Sequence, residues 1–146
     1  LMEGICRQMQ EKNTSPDVAI TFTEKAEECI LNTDRVRLSQ VIINFTNNAM
    51  KFTPKGSIQM GYRIDEAKDE IYFYAKDTGI GIPEDKINEV FERFVKLNTF
   101  AKGTGLGLAI CRVIVERLGG TIGADSKEGE GSCFWLRLPI TQKSNN

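Results

Sequence analysis

Two glycine-rich segments of the sequence carry residue types that suit the binding of an anion and of a nitrogenous base. The first segment, Gly103-Thr104-Gly105-Leu106-Gly107, directly precedes a stretch with helical periodicity. Unpaired backbone N–H groups at a helix start, together with the positive end of the helix dipole, attract a phosphate or another anion. A flexible hinge that uses its glycines for close backbone packing is the alternative, and the spacing alone leaves both open.

The second segment is Asp77-Thr78-Gly79-Ile80-Gly81, which follows a strand-like run rich in aromatic residues. An ionised carboxylate only accepts hydrogen bonds. At the end of a strand, Asp77 can therefore bind the exocyclic amine of adenine and reject the carbonyl that guanine carries in the same place. The alternative is an Asx turn in an ordinary loop, and the pattern Asp-x-Gly by itself favours that turn.

A polar stripe on the helix predicted at residues 34–52 is the third element. At about 100° per residue, Asn44, Asn48 and Lys51 share one side of this helix, while Asn47 points away from the core and is expected to be solvated. Amide oxygens suit Mg²⁺, which takes substrate phosphates as further ligands, and the lysine can neutralise a phosphate oxygen. A solvated flank with local side-chain hydrogen bonds is the alternative. Together the three elements describe one ligand, Mg-ATP.

Composition excludes several other classes of protein. The 146 residues include 40% apolar and 27% charged residues, which is typical of one globular domain. The formal net charge of −1 argues against a large basic footprint for nucleic acid. No run approaches the roughly 18 consecutive apolar residues of a membrane span, and no signal peptide is present. The chain starts at Leu1, so we expect it to be part of a longer protein.

Histidine and cysteine usage narrows the chemistry further. The sequence contains no His, which removes every Ser–His or Cys–His nucleophile and every His-ligated metal site. The four cysteines, Cys6, Cys29, Cys111 and Cys133, form no CxxC pair. A zinc site is therefore not expected, and three of the four are interpreted as small core residues in a reducing compartment.

Hydrophobic periodicity predicts about three helices and six strands. Helices are expected at residues 1–12, 34–52 and 106–118, with a short helical piece at 84–94, and strands at 18–23, 29–31, 58–64, 71–75, 121–125 and 132–138. The helix at 34–52 buries Leu38, Val41, Ile42, Phe45, Ala49 and Phe52, with Thr33 or Asp34 as its N-cap. The helix at 106–118 is apolar nearly all round and is expected to be well buried, with Arg112 and Glu116 on its one wet stripe.

This element order favours an α+β fold, a two-layer α/β sandwich, over a doubly wound parallel sheet. Strands occur mostly in hairpins, so the sheet is expected to be mixed and mostly antiparallel. We predict a single domain over residues 1–146, with a lead-in at about 1–16, a core at 17–140 and a frayed tail at 141–146.

The residues described above also resemble the catalytic, ATP-binding domain of sensor histidine kinases. Its four motifs match in order: the N box at residues 34–53, the G1 box at 77–82, the F box at Phe91-Glu92-Arg93-Phe94 and the G2 box at 103–108. The resemblance covers residues 18–139. It implies the Bergerat ATP-binding fold, in which helices lie on one face of a mixed sheet and the nucleotide lies between the two layers.

The resemblance also implies roles for individual residues. Asn48, with Asn44 beside it, would hold the Mg²⁺, Lys51 would contact phosphate, and Asp77 would bind the adenine amine. The rest of the nucleotide site would comprise Gly79, Gly81, Gly103, Thr104, Gly105, Leu106 and Gly107. Asn44 and Lys51 are the candidate catalytic residues.

The ATP lid implied by the resemblance is the short segment 97–102. The sequence leaves open which of three basic residues reaches the γ-phosphate: Arg93, Lys96 or Lys102.

One position separates this chain from the gyrase-like ATPases, which resemble it otherwise. They carry a glutamate base where this sequence has Asn44, and an amide cannot accept a proton from water. Hydrolysis by the domain alone is therefore expected to be slow. Phosphoryl transfer needs mainly positioning and charge neutralisation, so transfer to an arriving nucleophile remains possible. In histidine kinases that nucleophile is a His on a separate dimerisation domain.

The implied cofactors are ATP and Mg²⁺. The implied partners are an upstream dimerisation domain with the phosphoacceptor His and a response-regulator receiver domain, and the full-length protein is expected to be a homodimer. The domain itself is expected in the cytoplasm, and whether the whole protein is anchored in the inner membrane stays open. The alternatives are a nucleotide-responsive interaction module without transfer and a weak gyrase-like ATPase.

Overall fold

The computed structural model describes residues 2–13, 16–24, 34–83, 85, 87, 91 and 107–140. These residues form three helices and five strands. The helices are α1 (Met2–Lys12), α2 (Arg35–Phe52) and α3 (Gly107–Arg117), and the strands are β1 (Val18–Glu24), β2 (Gly56–Asp65), β3 (Glu70–Asp77), β4 (Thr121–Lys127) and β5 (Gly131–Pro139). None of the described helices combines the length and the hydropathy of a membrane span.

The five strands form one sheet in the order β1-β2-β3-β5-β4. β1 and β2 are parallel, and the other three neighbouring pairs are antiparallel. A parallel pair needs a long crossover connection, and here α2 lies between β1 and β2 in the chain. The predicted mixed, mostly antiparallel sheet is therefore confirmed. The predicted strand at 29–31 and most of the helical piece at 84–94 lie outside the described residues.

Helix α2 forms where its sequence signals place it. Asp34 is the N-cap, and its side chain accepts a hydrogen bond of 3.1 Å from the backbone N of Arg37. The helix ends at Phe52, one residue before Thr53-Pro54, because a proline disfavours the helical conformation in the residue before it. All six apolar side chains predicted for its inner face are buried.

The core lies between the sheet and the helices. The fully buried rings of Phe45 on α2 and Phe134 on β5 stack with their centroids 5.9 Å apart. This contact joins the helix layer to β5, one of the inner strands of the sheet. The helices therefore pack on one face of the sheet, as the two-layer prediction requires.

The opposite face of the sheet is lined by aromatic and arginine side chains. Tyr72 on β3 lies between Arg63 on β2 and Arg137 on β5. The guanidinium groups of these arginines lie 4.8 Å and 4.7 Å from the centroid of the Tyr72 ring. Arg137 also forms a 3.3 Å ion pair with Asp65. In these cation–π contacts the arginine side chains lie over the aromatic rings of this face.

The expectation that α3 is well buried, with only the stripe of Arg112 and Glu116 in solvent, is wrong on one side of the helix. Ile110 and Val113 are 43% and 49% exposed, whereas Cys111 and Val115 on the other side of the helix are fully buried. The reason is that α3 packs against α2 and β4, so the side of the helix that faces away from them stays in solvent. An apolar sequence can fill both sides of a helix without both sides having a neighbour.

Replacing Phe45 by alanine should lower the free energy of unfolding by about 3–5 kcal/mol, because it leaves a cavity opposite Phe134. The matched control is Val36→Ala on the same helix, at a side chain that is 73% exposed. We expect that control to change stability by less than about 0.5 kcal/mol. Urea denaturation of both variants measures the difference, and equal midpoints would contradict the role given to Phe45.

Candidate nucleotide-binding site

Asp77 is the last residue of β3 and is 2% exposed. Its Oδ1 accepts hydrogen bonds from the backbone N of Gly79 at 2.8 Å and from the backbone N of Ser132 at 3.3 Å. The bond to Gly79 forms an Asx turn, which is the purely structural interpretation of the motif. The bond to Ser132 ties the same oxygen to β5, so the carboxylate is fixed by two separate parts of the chain.

The second carboxylate oxygen of Asp77, Oδ2, is also buried and has no hydrogen-bond partner in the part of the chain that the structure describes. Burial raises the pKa of Asp77, while the N–H groups of Gly79 and Ser132 and, least, the Thr53 hydroxyl lower it. A buried acceptor without a donor is rare in native structures and points to a missing partner. The Asx turn and a ligand-binding role are therefore compatible, because each uses a different oxygen.

The glycines after Asp77 are required by close backbone contacts. A Cβ at Gly79 would collide with the carbonyl oxygen of Phe52, and Ile80 N donates to that same oxygen at 2.9 Å. Gly81 has a φ of +74°, and a Cβ there would collide with the backbone of Lys127. These contacts hold the loop between the end of α2 and β4. They explain both glycines without a ligand, and their predicted contact with nucleotide stays a prediction.

Two serines support this loop from the neighbouring strands. The Ser126 hydroxyl accepts a 2.7 Å hydrogen bond from Ile82 N and lies 2.9 Å from the Ser132 hydroxyl. Neither serine was among the predicted site residues, and nor was Thr53, the residue after α2. No local pattern marks these three residues, because they meet the Asp77 loop only when elements distant in sequence pack together.

Helix α2 connects Asp77 to the polar stripe. Its C-terminal end contacts the Asp77 loop through Phe52, while Asn48 lies one turn earlier and Asn44 two turns earlier. At a rise of about 1.5 Å per residue, the helix axis covers about 12 Å between Asn44 and Phe52. The Asn44 amide reaches the thiol of Cys111, which is one turn into α3. The stripe therefore runs from the buried carboxylate towards the beginning of α3.

The amides of this stripe are partly engaged in local bonds. Asn48 Nδ2 donates to the backbone oxygen of Asn44 at 2.9 Å, so the Asn48 amide oxygen is the atom left for a cation. Burial raises the pKa of the Cys111 thiol to about 12, although its hydrogen bond with Asn44 lowers it, and the thiol therefore stays neutral. The local hydrogen bonds expected for a solvated flank are therefore present, and the binding of a cation by this stripe stays a prediction. Among the described residues no three His, Cys, Asp or Glu side chains form a metal cluster.

The other predicted site residues are distributed as follows. Lys51 is exposed, and Gly107 is the first residue of α3, one residue after the predicted start of that helix. Asn47 was expected to be solvated, and in the structure it is half-buried. Several predicted residues lie outside the described ones: Gly103, Thr104, Gly105, Leu106, Arg93, Lys96, Lys102 and the lid segment 97–102.

The three described cysteines are free thiols. Cys6 and Cys111 are buried core residues, in agreement with the interpretation from sequence. Cys133 is only half-buried, on the arginine-lined face of the sheet, where its sulfur lies 3.9 Å from the Tyr72 hydroxyl.

Comparison with known proteins identifies the family. Residues 33–142 match the model of histidine kinase-, DNA gyrase B-, and HSP90-like ATPases. Because this match covers most of the sequence, the chain belongs to that family.

Individual relatives are sensor kinases. The chain is 40% identical over 121 residues to the autoinducer 2 sensor kinase/phosphatase LuxQ of Vibrio vulnificus strain YJ016, a match that covers 77% of this chain and 14% of LuxQ. The fold is similar to that of full-length ShkA in complex with AMPPNP, with a TM-score of 0.78, 31% identity and coverage of 96% of this chain and 30% of ShkA.

A second solved structure is the histidine kinase ThkA in complex with the response regulator TrrA. Its TM-score is 0.79 at 26% identity, and the match covers 98% of this chain and 40% of that chain. The chain thus spans only a minor part of each of these relatives.

Replacing Asp77 by asparagine should stabilise the protein at neutral pH. The pKa of Asp77 is higher in the folded state than its ordinary value of 3.8. The free energy of unfolding of the wild type therefore falls as the pH rises from 3.8 to the pKa of the folded state, and above that pKa the full cost of burying the charge remains. The neutral amide keeps an oxygen for Gly79 N and Ser132 N and removes the buried charge. Thermal unfolding between pH 3 and pH 8 measures the effect.

The stabilisation by this substitution should disappear below the ordinary aspartate pKa, where the wild-type carboxyl is neutral in both states. Asp125→Asn, at an exposed position, is the matched control. A pH-independent difference between Asp77→Asn and the wild type would contradict the assignment.

Proposed function

We propose that this chain is the ATP-binding domain of a histidine kinase, and that it positions ATP for transfer of the γ-phosphate to a histidine on another domain. The observation that carries the proposal is the buried Oδ2 of Asp77, which has no hydrogen-bond partner among the residues that the structure describes and needs a donor. The exocyclic amine of adenine is such a donor, whereas the guanine carbonyl would place an acceptor against this oxygen. AMPPNP bound to the similar ShkA supports an adenine nucleotide as the ligand.

The polar stripe of α2 supports the position of the phosphates. Asn48, with Asn44 beside it, would hold a Mg²⁺ ion through amide oxygens, which fits the hard oxygen ligands this cation prefers. When bound, the ion would neutralise charge on the phosphate oxygens. Lys51 would add a positive charge at the same end of the stripe, and Gly107 starts the helix whose dipole favours an anion there.

The residue at position 44 favours transfer over hydrolysis. Asn44 cannot accept a proton, so no side chain of the stripe can activate a water molecule. In the transfer proposed, an imidazole nitrogen bonds to the γ-phosphorus, the bond from that phosphorus to the bridging oxygen breaks, and ADP leaves. Since the sequence contains no His, the imidazole belongs to another domain or chain.

The exposed apolar side of α3 supports a docking face for that domain. Ile110 and Val113 project from the helix that begins at Gly107, and hence beside the proposed phosphate site. A large apolar side chain exposed on a helix at this position suits a partner helix with an apolar face. We propose that this partner is the dimerisation domain with the phosphoacceptor His, with the whole protein a homodimer.

The onward partner would be a response-regulator receiver domain. ThkA, to which the chain is similar, forms a complex with the response regulator TrrA. We propose the same class of partner here, with this domain working in the cytoplasm.

The decisive experiment measures transfer of label from γ-labelled ATP to a longer form of the protein that contains the upstream helical segment. We expect acid-labile label on an upstream His in the wild type and none with Asp77→Asn. The variant should bind Mg-ATP at least about 100-fold more weakly, because it places an amide where the adenine amine needs an acceptor.

Three results would contradict the proposal in different ways. Unchanged ATP affinity of Asp77→Asn would remove the adenine contact. ATP binding without any transfer would favour a nucleotide-responsive module, and rapid hydrolysis by the domain alone would favour a gyrase-like ATPase.

Replacing Ile110 by aspartate should reduce phosphotransfer at least about tenfold while ATP affinity stays within about twofold, because a charge on the docking face opposes burial there. Val36→Asp, at the exposed apolar side chain on α2, is the matched control and should leave transfer unchanged. Transfer rates and ATP titrations of both variants in the longer form provide the comparison. Equal transfer by Ile110→Asp and the wild type would contradict the docking face.

A further inference from the structure

Thr53, the residue that follows α2, has an unexplained buried hydroxyl. The residue is 1% exposed, and its Oγ1 has no hydrogen-bond partner among the described residues. A threonine at the end of a helix usually directs its hydroxyl to solvent or to a backbone group. Here neither happens, so the hydroxyl is a second buried polar group that lacks a partner.

The two unpartnered groups lie together. The Thr53 hydroxyl is close enough to Asp77 to lower the pKa of that carboxyl, but in the described part of the chain neither Thr53 Oγ1 nor Asp77 Oδ2 has a hydrogen-bond partner. Gly79 lies against both residues, because a Cβ added to it would lie 2.7 Å from Thr53 Oγ1 and its backbone N donates to Asp77 Oδ1 at 2.8 Å. One buried spot therefore presents an acceptor, Oδ2, next to a hydroxyl that can donate.

An adjacent acceptor and donor match one edge of adenine. On that edge the exocyclic amine donates, and the neighbouring ring nitrogen N1 accepts. We propose that Thr53 is a second base-reading residue, whose hydroxyl donates to N1 while Asp77 Oδ2 accepts from the amine. This inference rests on the proposed function, since it assumes that an adenine nucleotide occupies the site.

Thr53 has one structural alternative. Its hydroxyl could turn to Asp77 Oδ2 and only hold the carboxylate in place, without touching the base. In that case loss of the hydroxyl would weaken every nucleotide that Asp77 binds, whatever atom stands at the N1 position. A pair of nucleotides that differ only at N1 therefore separates the two roles.

The experiment compares ATP with 1-deaza-ATP, in which a C–H group replaces N1, on the wild type, Thr53→Val and Thr53→Ser. Valine keeps the shape of threonine and lacks the hydroxyl, whereas serine keeps the hydroxyl. We expect Thr53→Val to bind ATP about tenfold more weakly and 1-deaza-ATP within about twofold of the wild type. Thr53→Ser should bind both nucleotides like the wild type.

The wild type alone provides a test that needs no folded variant. It should bind 1-deaza-ATP about tenfold more weakly than ATP. Equal wild-type affinities, or an equal loss for both nucleotides in Thr53→Val, would overturn the role of Thr53 and leave the proposed function standing. A wild type that binds neither nucleotide would overturn the proposed function itself.

Discussion

The site depends on a single carboxylate oxygen. Asp77 Oδ1 accepts from Gly79 N and from Ser132 N, and through these two bonds the end of β3, the following loop and the start of β5 share one anchor. A carboxylate is expensive to bury, and these donors offset only part of the cost, as the raised pKa of Asp77 records. What remains is Oδ2, a buried oxygen for which the described part of the chain supplies no hydrogen-bond donor. Stability lost in the free protein is therefore available as binding energy for a ligand with the right donor.

Helix α2 fixes the distance between Asp77 and the polar stripe. One side of the helix holds the sheet through Phe45 and Phe134, and the adjacent side carries the amides of Asn44 and Asn48. Because a helix is stiff, the packing of the apolar side fixes the amides relative to Asp77 at the helix end. The groups proposed to read the base and to hold the metal ion thus take their spacing from one element. The same helix contacts α3 through Asn44 and Cys111, so the proposed phosphate end is coupled to the core as well.

Local sequence signals predicted the parts of the fold that local forces determine. The six inner residues of α2 and its cap at Asp34 follow from periodicity and capping, and both are confirmed. The predicted burial of α3 was wrong on the side that carries Ile110 and Val113, because apolar composition does not say which side of a helix has a neighbour. The same limit applies to Asn47, which is half-buried although its angular position faces away from the core.

The candidate site was predictable to a similar degree. Asp77 was correctly placed at the end of a strand, but sequence offered an Asx turn and a ligand contact as rivals. In the structure the turn uses Oδ1, whereas Oδ2 has no hydrogen-bond partner among the described residues, which is why we propose it as the ligand contact. Thr53 and Ser132 escaped notice for a different reason. Ser132 lies 55 positions from Asp77, and Thr53 meets Asp77 only once α2 has docked on the sheet, so no short pattern contains either contact.

The pairing of Asp77 with Ser132 has a consequence for evolution. The chain leaves β3 at Asp77 and returns to a hydrogen bond with this residue at Ser132, 55 positions later, after it has formed α3 and β4. Because α3 contributes side chains to the core and β4 pairs with β5, insertions and deletions within these two elements would disturb the packing. Length changes are tolerated best in the connections between them, where they cost loop-closure entropy of roughly 0.6 kcal/mol for each doubling. Such changes leave the carboxylate of Asp77 in place, because its two backbone donors lie outside those connections.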